Sequence, residues 1–194
     1  MAAEESPSAC DARAEEAARQ VDSAALCAPA YQSQLILGAD IGSRGAIALL
    51  TSAGEFLDVF NMPCLSDGPA GRPAVNPALL AEIVAKSHAS KAYVEMVGAR
   101  PREGAVGAFA FGRSRGVVES VLAALSIPAA HITPAASKRA VGLPAGRHGA
   151  KDAARSVAIG RWPAKATLFA RVKNDGRAEA ALIAVGGLLR EAAP

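Results

Sequence analysis

The chain has 194 residues, 51% of them hydrophobic, with a formal net charge of +3. That is enough apolar material for one sizeable core and too little for two independent domains, and the scarcity of aromatics beside abundant Ala, Val, Leu and Ile suits buried strands under Ala-rich helices. No run approaches the roughly 20 apolar residues of a membrane span, the start lacks the basic and apolar regions of a signal peptide, and Cys10, Cys27 and Cys64 form neither a paired zinc pattern nor a disulfide framework. A cytoplasmic protein with no membrane partner is expected.

The charge is unevenly placed. Residues 1–34 carry six acids (Glu4, Glu5, Asp11, Glu15, Glu16, Asp22) against Arg13 and Arg19, a net of −4 that leaves +7 for residues 35–194. The first stretch has no core-seeking stripe and reads as a disordered acidic tail; the rest reads as one domain. A basic body suits a polyanionic partner, because each Lys or Arg near a phosphate releases counterions.

In chain order, LILGADIG reads as a buried strand, and AIALLTSAGEFLDVFNMP as a second and third strand joined at Ser52-Ala53-Gly54. After the loop SDGPAGRP, NPALLAEIVAKSHAS starts a helix with Asn76 as N-cap and Pro77 at its first position. AYVEMV is a strand, ARPREGAVGAFAFGRSRG a basic glycine-spaced stretch, and VVESVLAAL a helix that stops before Ile127-Pro128. AHITP is a further strand, and helices are expected in ASKRAVGLP, DAARSVAIGRW and GRAEAALIAVGGLLREA. The order βββαβαβααα is that of a ribonuclease-H-like α/β fold, a mixed five-stranded sheet flanked by helices with its first three strands antiparallel.

Four acids stand out. Asp40 leaves a buried strand into the turn Ile41-Gly42-Ser43-Arg44-Gly45, and Glu95 is the only charge in AYVEMV. An unpartnered charge among apolar strand residues costs several kcal/mol, so each implies a metal, a cation or an edge position. Asp175 and Glu179, four residues apart, share one face at the start of the last helix. Taken singly, Asp40 as a turn cap, Glu95 on an exposed strand face and Asp175 and Glu179 as helix-start acids remain open. Together they make the number of carboxylates with which a two-metal site clamps a phosphodiester.

Two basic groups accompany them. Arg100, Arg102, Arg113 and Arg115 surround Phe109 and Phe111, where charge steers phosphate and rings stack on or wedge between bases, although one Phe at least is expected in the core. Lys138, Arg139, Lys151 and Arg155 form the second group, with Lys151 just ahead of a helix. His88, His131 and His148 have no zinc spacing, and Trp162 reads as a core anchor.

The segments GADIGSRGAIALL, YVEMVGARP, TPAASKRAVGLP, KDAARSVAIGRWP and LFARVKNDGRAEAALIA, spanning residues 35 to about 190, resemble the RuvC-like Holliday-junction resolvases. The resemblance implies Mg²⁺- or Mn²⁺-dependent cleavage of four-way DNA junctions by a homodimer. It puts Asp40, Glu95, Asp175 and Glu179 at the ligand positions, Lys151 beside the scissile phosphate, and the stretch holding Phe109 and Phe111 at the crossover. The chain departs from the family pattern in three places. It has Asp-Ile-Gly for Asp-Pro-Gly, Ser137 where many relatives have Trp, and a closing pair spaced by four, which leaves Asp175 the least secure. The competing readings are a catalytically silent nucleic-acid-binding module, a broader branched-DNA or RNA/DNA-hybrid nuclease, and an ATP-binding actin- or sugar-kinase-like domain. The last would need a second such domain and a second phosphate loop.

Overall fold

The computed structural model describes residues 34–66, 73–96, 98, 104–144 and 150–193, with the side chains of 150 and 151 outside the described set. The reading of the acidic tail therefore falls outside it, apart from Gln34, whose carbonyl accepts from the Ser52 N–H at 2.8 Å.

Strands β1 (Leu35–Asp40), β2 (Ala46–Thr51) and β3 (Phe56–Asn61) form the meander. Short strands β4 (Cys64–Leu65) and β5 (Ala74–Val75) pair as a separate ribbon that the sequence pattern does not reveal. The central sheet is completed by β6 (Lys91–Glu95) and β7 (Ala129–Ile132) in the order β3-β2-β1-β6-β7. β3, β2 and β1 are antiparallel, whereas β6 runs parallel to both β1 and β7. This is the expected mixed sheet. All six residues of β2 are buried, with no alternation, because the sheet is covered on both faces.

One cover is made by α1 (Pro77–Lys86) and α2 (Ala105–Ala124), which bury Leu80, Val84, Val118 and Leu122 against Leu37, Ala39, Ile47 and Val94. Asn76 caps α1 as expected, its side chain accepting from the N–H groups of Ala78 and Leu79 at 3.1 and 3.3 Å. The structure corrects the start of α2. The helix begins at Ala105, inside the basic glycine-spaced stretch and ahead of the expected helix VVESVLAAL, and its fully buried residues begin at Ser114. Its first turns lack an apolar stripe, and interior glycines weaken a helical signal by about 1 kcal/mol each.

The opposite cover holds α3 (Pro134–Ala140), α4 (Ala150–Arg161) and α5 (Asp175–Glu191). The chain between α4 and α5 caps the edge of this layer with Trp162 and Phe169, whose rings lie 5.3 and 5.2 Å from Phe56. Trp162 also donates to the Gly54 carbonyl at 3.3 Å, which fixes the β2–β3 turn.

Helix α5 positions the site, and it lies unusually close to the sheet. A Cβ on Gly38 would stand 2.1 Å from the Ala180 carbonyl oxygen, and one on Gly187 only 2.2 Å from the Tyr93 ring. Real Cβ atoms do not approach so closely, so glycines on both surfaces let helix and strand backbones meet. The same device joins α5 to α3, where a Cβ on Gly186 would stand 2.9 Å from the Ser137 Oγ. That contact explains why a small residue occupies position 137. The far end of α5 is tied by the Lys91–Glu191 ion pair.

Candidate active site

In the parallel pair of β1 and β6, Ala39 is level with Val94, which sets Asp40 level with Glu95 at the carboxyl ends of the two strands. Strand side chains alternate between faces. Ile36 on β1 and Tyr93 on β6 belong to the core under α5, whereas Ala39 and Val94 belong to the core under α1 and α2. Asp40 and Glu95 therefore point to the α5 side. The first turn of α5 is brought over them by another close approach, since a Cβ on Gly176 would stand 2.5 Å from the Arg44 carbonyl. The turn after Asp40 is equally tight: Gly45 donates to Gly42 at 2.8 Å, and a Cβ at Gly45 would stand 2.0 Å from the Asp40 carbonyl.

Gly176 lies between Asp175 and Glu179 in the chain, so its contact with the Arg44-Gly45 turn delivers both carboxylates to the Asp40 end of the sheet. All four acids are half-buried. The electrostatic result is concentrated on Asp40, whose pKa is pushed up to about 8, first by burial and then by Glu179 and Glu95, with Asp175 adding least. The Gly42 N–H, 3.5 Å from Asp40 Oδ1, opposes the shift weakly. Asp175 in turn accepts from the Gly176 N–H at 3.0 Å, a local cap that competes for its lone pairs.

The four sequence-selected acids thus act as one electrostatic group centred on Asp40. No three acids, histidines or cysteines among the described residues are gathered tightly enough to enclose an ion as they stand. In donor chemistry the set fits a hard divalent cation: all its groups are carboxylate oxygens, and burial followed by repulsion from its neighbours raises the proton affinity of the central one.

The basic and aromatic candidates divide. Arg100 and Arg102 lie outside the described residues, as does the Lys151 side chain. On α2, Phe109 is 66% exposed while Phe111 is half-buried and packs against the core. Arg115 is held by Glu119 at 2.8 Å, and the same carboxylate oxygen meets His131 Nε2 at 2.8 Å, so this arginine is already engaged. Arg113 is exposed beside an open apolar groove of about 500 Å³ between α1 and α2, on the sheet face away from the acids. On α3, Lys138 is half-buried and Arg139 exposed. Arg155 bonds the Ala170 carbonyl at 2.9 Å and pairs with Asp152.

Sequence reasoning missed Arg44, which is exposed in the turn against α5, and Arg177, which donates to Asn61 Oδ1 at 2.8 Å. The signal for Arg44 was its place four residues after Asp40; nothing local marked Arg177. No helix among the described residues is long and apolar enough to cross a membrane.

No family profile and no curated protein matches the chain. Solved structures do. Thermus thermophilus RuvC in complex with a Holliday junction substrate superposes with a TM-score of 0.59, at 17% identity, over 82% of this chain and 95% of that one. The fold is the RuvC fold. A second Thermus thermophilus RuvC structure aligns over 82% of this chain and 96% of its own length at 16% identity, with a TM-score of 0.48. The RuvC fold accounts for the sheet order and for a closing helix laid across its centre.

Proposed function

We propose that the protein is a divalent-metal-dependent endonuclease that cuts branched DNA, with the four-way junction as its substrate and a homodimer as its working form. The observation that carries this reading is the meeting of Asp40, Glu95, Asp175 and Glu179, from two neighbouring strands and a distant helix, at one end of the sheet, where burial first and then the neighbouring carboxylates push the Asp40 pKa up. A fold does not by itself place four like charges together against their repulsion, and a cation removes that cost. The likeness to RuvC supports the choice of substrate, and the +7 body suits a polyanion.

Asp40, Glu95 and Glu179, with Asp175 as the fourth, would hold two Mg²⁺ or Mn²⁺ ions. Bound ions of this kind supply Lewis-acid activation of water and neutralise charge on the phosphate in an in-line displacement. The chain's own part is positional. The tight turn from Asp40 to Gly45 and the glycine contact at Gly176 hold the backbones that carry Asp40, Asp175 and Glu179 close together, leaving the side chains to close on the ions. Asp40 must shed its proton to act as a ligand, so metal binding would release a proton and tighten as pH rises. Lys138, Arg139 and Lys151 would hold the incoming strand from α3 and the start of α4, and Phe109 would meet unpaired bases.

The test is one gel. Synthetic four-way junction, nicked duplex and linear duplex are incubated with the protein in Mg²⁺ or Mn²⁺. Paired symmetric nicks on the junction alone are expected. Cleavage that persists in Asp40→Asn would remove the acid cluster from the mechanism, and tight binding without cleavage would leave a silent junction-binding module.

A further inference from the structure

A line of cations runs from the acid cluster down the β3 side of the sheet, where among the described residues no further strand pairs. The register of β2 and β3 orders it: Asn61 pairs with Ala46 at the Asp40 end, Asp58 pairs with Leu49 midway, and the Ser52–Glu55 turn lies at the far end. Arg44 occupies the near end, in the turn beside Asp40. Next stands Arg177, bonded to Asn61. Arg171 acts electrostatically on Arg177, and Lys165 and Arg177 both act on the Asp58 carboxylate. Arg161 closes the line, its Nη2 3.4 Å from where a Gly54 Cβ would stand. Four of the five are exposed and Arg177 is half-buried. Among the described residues none of the five makes an ion pair.

Edge strands often carry charge merely to prevent sheet-to-sheet association. Such protection comes from the edge strand itself, yet β3 reads FLDVFN and contributes only an acid. The cations are instead supplied by the β1–β2 turn, the end of α4, the α4–α5 connection and α5. From these observations, and on the strength of the nuclease reading above, we infer that the β3 edge is a phosphate-binding rail for one duplex arm of the DNA, leading its backbone to the acid cluster at Arg44. Six strand residues span about 20 Å, over which one DNA strand presents roughly six phosphates at 3.4 Å per charge. Asp58 is the one acid that β3 places within this line, and it weakens the rail at its centre.

Binding of a fluorescent four-way junction is measured by anisotropy in EDTA, which prevents cleavage, across about 50 to 200 mM KCl. Lys165→Gln/Arg171→Gln is expected to lower the slope of log Kd against log salt by about two, near 0.9 per lost phosphate contact, and to weaken binding about tenfold at the middle of the range. Asp58→Asn is expected to tighten binding about threefold at low salt, a gain that misfolding cannot produce. A double variant and an Asp58→Asn protein that both bind like wild type, while Lys138→Gln/Arg139→Gln loses affinity, would overturn the rail and leave the nuclease reading standing. Absence of junction binding by the wild-type protein at every salt would overturn both.

Discussion

Replacing Asp40 by Asn should make the metal-free protein more stable while abolishing cleavage. In the folded chain the Asp40 pKa is about 8, whereas an unfolded Asp titrates near 3.8. Between these values the native state holds a proton that the unfolded state has released, so stability falls as pH rises through the window and levels off above the folded pKa. Each pKa unit is worth about 1.4 kcal/mol, which sets a ceiling of roughly 6 kcal/mol at alkaline pH. Asp40 is only half-buried, so solvent screening and relaxation reduce the effect to about 2–3 kcal/mol. Asn keeps the acceptor facing the Gly42 N–H and carries no charge. In thermal melts in EDTA at pH 8, Asp40→Asn should melt about 5–10 °C above wild type, with the gap closing near pH 4. A variant that melts at or below wild type across this range, with an unchanged pH slope, would refute the claim that burial and the neighbouring carboxylates make a charged Asp40 costly.

Three further outcomes follow from the same geometry. Mg²⁺ or Mn²⁺ should raise the melting temperature of the wild type, by about 2.7 kcal/mol of stabilisation at a hundredfold excess over Kd, and should do little for Asp40→Asn; calorimetry with and without the ion checks both. Gly187→Ala and Gly38→Ala drive a methyl into the Tyr93 ring and the Ala180 carbonyl, and each should cost about 1–3 kcal/mol or more in urea unfolding. Phe169→Ala removes a fully buried ring that packs on Phe56 and Trp162, with an expected loss of about 3–5 kcal/mol by the same measure.

Features with a local cause were legible in the sequence. Asn76-Pro77 announces a helix start because cap and first turn are adjacent in the chain. Asp40 and Glu95 are conspicuous because each interrupts an apolar strand. Three other features left no readable local pattern. The first half of α2 hides behind glycines and lacks a buried stripe. The β4–β5 ribbon is two residues wide on each side, too short for periodicity to register. The cationic edge is assembled from several separate segments, none of them unusual in composition. Gly176 and Gly187 carry no local mark of their role, which appears only in their contacts with the Arg44-Gly45 turn and the Tyr93 ring.

The split of the acids between β1 and β6 on one side and α5 on the other has a consequence for the chain's life in the cell. During synthesis the strand carboxylates emerge well before the helix that completes the set, and α5 packs on β1, β2 and β6. A ribosome-bound or proteolytically clipped chain without α5 holds half of the acids and an uncovered sheet face. On the proposed function, nuclease activity is thereby withheld until folding is finished, so that unfinished or damaged copies pose no hazard to DNA.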